Sequence, residues 1–120
     1  MTEQKTALDF EALRCADEQN DVELLASFYA NDAEVYLISK DNPPSSPFEL
    51  RGKEAIAEYL RDVCGREMKH NIEREIVGED RIAFNEACEY PDGTRVLAAT
   101  TLEVKDGKIS RQVTVEAWDE

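Results

Sequence analysis

Positive charge is scarce in this chain: 14 Lys and Arg stand against 27 Asp and Glu over 120 residues, a formal charge of −13. A surface that negative repels phosphate backbones and anionic headgroups, which excludes nucleic acid and membrane surfaces as main partners. Cysteine is sparse as well. Cys15, Cys64 and Cys88 are odd in number, far apart and form no CxxC pair. That pattern excludes a disulfide framework and fits reduced thiols in a cytosol, each a small core residue. With a single histidine, His70, and scattered cysteines, no metal centre is expected. A Gly-rich phosphate loop and a G-x-S-x-G elbow are both missing, so no cofactor is expected either. No run approaches the ~20 apolar residues of a membrane span, and MTEQKTALDF has no basic segment followed by an apolar core. A cytoplasmic location follows as the expectation.

What is present suits one domain over residues 1–120, enough chain to bury about two-thirds of its unfolded surface. Residues 6–19 carry Leu8, Phe10, Leu13 and Ala16 at helical spacing, which predicts an amphipathic helix. Asn20-Asp21 breaks it and can cap a second helix in VELLASFY. NDAEVYLI alternates, so residues 31–38 read as a strand. KDNPPSSPFEL, residues 40–50, holds three prolines and reads as a loop, either a lid or a plain connection. GKEAIAEYLRDVCG is a third helix ended by Gly65. From residue 66 the period becomes two: MKHNIEREIV, RIAFNEACEY, TRVLAATTLEV and KISRQVTVEAW are strands separated by GED, PDG and KDG. Such short turns imply antiparallel hairpins. Helices before a run of strands predict an α+β fold: three helices of the N-terminal half packed on the concave face of a curved antiparallel sheet, a cone with an inside.

The stretches NDVELLASFYANDAEVYL, RGKEAIAEYL, EYPDGTRV, LEVKDGKI and VEAWD, in this order, cover nearly the whole chain. Together they resemble the nuclear transport factor 2-like (NTF2-like) superfamily, with its SnoaL-like and ketosteroid-isomerase-like branches. The resemblance implies a cystatin-like cone, an interior pocket and a homodimer formed through the sheet. Its members include isomerases, cyclases, hydrolases, dehydratases and non-catalytic binding domains, so fold alone does not name the chemistry. Where the ketosteroid isomerase carries a tyrosine, a carboxylate base and a protonated aspartic acid, this chain has Leu13, Leu37 and Thr100. A leucine accepts no proton, so the steroid-isomerase mechanism is not expected here.

The residues left to do chemistry follow from strand parity. Met68, His70, Ile72 and Ile76 share one side of their strand, opposite the wholly polar Lys69, Asn71, Glu73 and Glu75, which turns His70 inward. Arg74 shares that parity and fits poorly. On the next strand Ile82, Phe84, Glu86, Cys88 and Tyr90 share a side; a carboxylate among apolar neighbours needs a partner or a raised pKa. The alternative parity would turn Asn85, Ala87 and Glu89 inward. His70 and Glu86 are thus the candidate catalytic pair, base and orienting carboxylate, or else a buried structural pair. Tyr36, Tyr59, Thr100 and Thr114 are candidate ligand contacts, with Gln112 nearby, and Trp118 reads as a packing anchor. The expected ligand is small, largely apolar and carbonyl- or hydroxyl-bearing, handled by a cofactor-independent isomerase, cyclase or hydratase. The alternative is a non-catalytic binding or dimerisation module of the same fold.

Overall fold

Asp9 starts the first helix by capping it: its carboxylate accepts from the Ala12 amide at 3.1 Å, satisfying a donor the helix itself cannot pair. The computed structural model describes residues 8–119. Their elements run α1 (Phe10–Glu18), α2 (Val22–Ser27), β1 (Tyr29–Ile38), β2 (Phe48–Arg51), α3 (Lys53–Cys64), β3 (Lys69–Val77), β4 (Arg81–Glu89), β5 (Arg95–Lys105) and β6 (Lys108–Trp118). Residues 6 and 7, expected in the first helix, lie outside the described residues. Asp21 caps α2 as anticipated, accepting from the Leu24 amide at 3.2 Å. Asn20, between the two helices, takes a left-handed φ of 57°, a conformation asparagine tolerates better than most residues.

The six strands form one curved, unclosed sheet in the order β2-β1-β6-β5-β4-β3. β3 to β6 make the expected antiparallel hairpins. The tightest joins Lys105 to Lys108, where Asp106 and Gly107 both have positive φ (52° and 77°), the backbone a two-residue turn needs. β1 pairs with β6 in parallel and with β2 antiparallel. Three details depart from the sequence reading. The helix over VELLASFY stops at Ser27, and Tyr29 already belongs to β1. The proline-rich loop ends at Pro47, and Phe48–Arg51 forms a short edge strand on β1. Third, β3 carries a bulge: Glu73 pairs with Asn85 but Ile76 with Ala83, one extra residue on the β3 side. Arg74 absorbs it at φ 57°. The bulge inverts the parity beyond it, so Ile76, expected inside, is 71% exposed. Arg74, which shares the parity of His70 and fits the inner side poorly, stands in solvent with Nε 3.8 Å from the Glu73 carboxylate.

The core fills the space between the helices and the concave face, where Ile56, Ile82 and Ile109 are fully buried. α1 is fixed over β3 by polar ties at the bulge. Arg14 donates to the Ile72 carbonyl at 2.9 Å and pairs with Glu75 at 2.6 Å. Glu18 accepts from the Ile72 amide at 2.9 Å. These ties bring the C-terminal turn of α1, and Asp17 with it, over the strand that carries His70.

Candidate active site

A cavity of about 120 Å³ opens between the helices and the concave face. Most of its wall is apolar, with Leu13, Leu25, Leu37 and Phe84 among the lining residues. Into this wall the fold sets a small group of polar side chains. His70 and Glu86 meet as the parity of β3 and β4 implied, with Nδ1 and Oε2 2.8 Å apart. The imidazole is only 3% exposed. Its Nε2 lies 3.0 Å from Asn20 Oδ1, and the Asn20 amide nitrogen donates to the Met68 carbonyl at 3.2 Å. That second bond orients the amide, so Oδ1 must face the ring and Nε2 must donate. The other nitrogen faces the Glu86 carboxyl. Both ring nitrogens are therefore engaged, and no imidazole lone pair is left for the cavity.

The third member of the group was not among the sequence candidates. Asp17 lines the same cavity and is hydrogen-bonded to Glu86. Its Oδ2 is buried with no donor to receive. Burial raises its pKa from 3.8 to about 9, and the neighbouring Glu86 charge and hydrogen bond push the same way. Burial also raises Glu86, while the bond from Asp17 opposes that rise. Burial thus favours the neutral form at both carboxyl groups, so the pair is suited to hold one proton between them. The signal was present in the sequence: Phe10, Leu13 and Asp17 fall at i, i+3 and i+7, so an acid interrupts the apolar stripe of α1.

Cys88 completes the cluster, its sulfur 3.4 Å from His70 Nδ1. Burial first, then the Glu86 charge, pushes its thiol far above the ordinary range, so it is a poor nucleophile. His70, Glu86 and Cys88 place donor atoms within 4.8 Å of one another, a mixed set that a transition metal can use. The 2.8 Å between Nδ1 and Oε2 is hydrogen-bond length, whereas two N/O ligands of a tetrahedral zinc stand about 3.3 Å apart. The atoms are spaced for a proton.

The same cavity is lined by a chain of neutral polar groups. The Tyr29 hydroxyl donates to Gln112 Oε1, Gln112 Nε2 donates to Thr114 Oγ1 at 2.9 Å, and Thr114 and Thr100 share a bond of 2.9 Å. Both threonines are buried. One bond between two hydroxyls uses one of their two protons, so one donor is left over. Tyr59 also lines the cavity, its phenol pushed up by burial. Trp118 packs on Tyr90 with ring centres 5.5 Å apart. Tyr36 is placed elsewhere: it stands on the outer face, bonded to Glu34 at 2.8 Å beneath the Arg111 guanidinium. In β1 it is Ala33, Val35 and Leu37 that point inward. Leu13, Leu37 and Thr100 line the cavity.

The frame has known relatives. A protein provisionally named a ketosteroid isomerase, from Kribbella flavida, superposes with a TM-score of 0.75 over 92% of this chain and 75% of its own, at 18% identity. An NTF2-like protein of unknown function from Mesorhizobium loti gives 0.77 over 90% and 87%, at 16% identity. A protein provisionally named a polyketide cyclase, from Sinorhizobium meliloti, gives 0.69 over 88% and 91%, at 20% identity. At such identities the likeness is one of fold. Among curated proteins none matches the sequence. The SnoaL-like domain model matches residues 10–112, from the first residue of α1 into β6, so it takes in all three helices and every residue of the polar cluster: the chain belongs to the SnoaL-like family.

Proposed function

We propose that this SnoaL-like domain binds a small, largely apolar carbonyl compound in its cavity and catalyses proton transfer at carbon, as an isomerase or lyase does. The observation that carries this reading is the 2.8 Å His70–Glu86 pair set in an apolar wall. Glu86 is the base. Water is largely excluded around it, which raises its basicity. His70 is the positioning residue: held by Asn20, it fixes the carboxylate. The spare hydroxyl of the Thr100–Thr114 pair supplies a hydrogen bond to the ligand's oxygen. The chemistry needs only side chains. The volume sets the ligand's size, since about 120 Å³ is slightly less than the ~150 Å³ apolar cavity known to hold benzene. A steroid skeleton does not fit.

Cyclopentanone is a suitable probe, with six heavy atoms and exchangeable hydrogens beside its carbonyl. Wild-type protein in D₂O is expected to speed its hydrogen–deuterium exchange, read by proton NMR. Glu86→Gln is expected to lose about 10²–10⁴-fold of that rate, and His70→Ala to lose a smaller part. Equal rates in wild type and Glu86→Gln would remove the reading.

The same small volume favours one other reading, a non-catalytic binding or dimerisation module whose cone is mostly filled. It predicts ligand uptake, or none, with no exchange. In either case we propose a homodimer in the cytosol. Leu97 and Val115, 52% and 49% exposed, pair directly with Ala117 and Ala99 on the outer sheet face, an apolar patch that a second copy would cover.

A further inference from the structure

We infer that Asp17 is the proton donor of this site, a neutral carboxylic acid that shares one proton with Glu86 and delivers it to the oxygen of an enolisable ketone or aldehyde. The inference rests on the acid–base reading of the cavity and assigns its missing half. The geometry comes first. Two carboxyl groups from different elements, α1 and β4, line one cavity as neighbours, and as two carboxylates neither has a hydrogen to give the other. A single proton held between them removes that conflict. Glu86 Oε2 lies 2.8 Å from His70 Nδ1, so that carboxyl already has a polar partner. Among the described residues Asp17 forms no ion pair, and its Oδ2 is buried without a donor. An ionised Asp17 would leave a bare charge in an apolar wall. Like charges crowded into one site divide a single proton between them.

The step balances without a co-reactant. A Glu86 carboxylate oxygen takes the hydrogen from the carbon beside the carbonyl. The C–H electron pair becomes a carbon–carbon double bond, and the carbonyl pair moves onto oxygen. Asp17 gives its proton to that oxygen, leaving a neutral enol, a protonated Glu86 and an ionised Asp17. Return of a proton from Glu86 to the same or a conjugated carbon, and of the enol proton to Asp17, restores both groups. The titratable groups around Asp17 are Glu86 and Cys88 on β4, His70 on β3, Tyr29 on β1, Cys64 on α3 and Glu18 on its own helix, with Glu116 of β6 acting on Glu86.

Infrared spectroscopy of the full chain reads the proton directly, without turnover. At pH 7 the C=O stretch of a neutral carboxylic acid is expected, fading as pH passes about 9 and missing in Asp17→Asn. Asparagine can donate a hydrogen bond but not transfer a proton, so cyclopentanone exchange in Asp17→Asn is expected to fall about 10²–10⁴-fold in kcat with KM unchanged. A wild-type spectrum without the acid band, a band that survives in Asp17→Asn, or wild-type exchange in that variant overturns the assignment. If the band behaves as expected but wild type exchanges nothing, the shared proton stands and the donor role falls together with the enzymatic reading. If exchange depends on Glu86 while the band is absent, the enzymatic reading stands and Asp17 is not its acid.

Discussion

Replacing Asp17 by asparagine should change how the protein's stability depends on pH, and by an amount the site specifies. In the unfolded chain an aspartate ionises near pH 3.9; in the folded protein Asp17 is pushed up to about 9. Between those values the folded state holds one more proton than the unfolded state. Stability supplied by that proton is therefore complete at low pH and is lost as pH rises through the window, at about 1.4 kcal/mol per pH unit. The asparagine side chain of the variant takes up no proton on folding, and its amide can still donate to Glu86, which stays ionised. The remaining groups titrate alike in both proteins and cancel in the difference. From pH 6 to pH 8 the stability of Asp17→Asn relative to wild type should thus grow by about 2.7 kcal/mol. Urea denaturation at pH 6, 7 and 8, compared by midpoint at a common slope, measures it directly. Parallel curves for the two proteins would mean that Asp17 is ionised when folded, and the shared-proton account would be wrong.

Two further expectations test the frame around the site. Ile109 has no exposed surface, and its amide donates to the Phe28 carbonyl at 2.8 Å, so it packs where the α2–β1 junction meets β6. Ile109→Ala should cost about 2–5 kcal/mol in denaturant midpoint analysis; a loss below about 1 kcal/mol would show that the junction closes over the cavity left behind. On the outer face, the double variant Leu97→Glu, Val115→Glu should give a monomer by light scattering where wild type gives a dimer. A wild-type monomer at micromolar concentration would refute the proposed interface.

Periodicity was enough to read the α+β order, because each element buries one face against the next and must repeat at 3.6 or 2. It also turned His70 and Glu86 toward each other, since both lie on strand segments with regular pleat. It failed at Ile76 and Arg74, where a single extra residue in β3 inverts the faces; a bulge leaves no mark on the pattern until the partner strand is known. It failed again at Phe48–Arg51, four residues long and too short to show a period. Tyr36 followed its own parity outward, opposite to Leu37, so its place was legible from the alternation of β1 even though its phenol had been counted among ligand contacts.

The family, the Asp21 cap of α2 and the lack of a carboxylate at positions 13 and 37 were legible in the sequence alone, because each depends on local chemistry or on residue identity, whereas which face of β4 turns inward was decided by the fold. The polar cluster was not. Asp17, Asn20, His70 and Glu86 come from three segments separated by up to 69 positions along the chain, and only the packing of α1 on β3 puts an acid from one beside a carboxylate from another. Protonation follows from that placement: whether a carboxyl group keeps its hydrogen is decided by the charges and solvent around it, which exist only once the chain has closed.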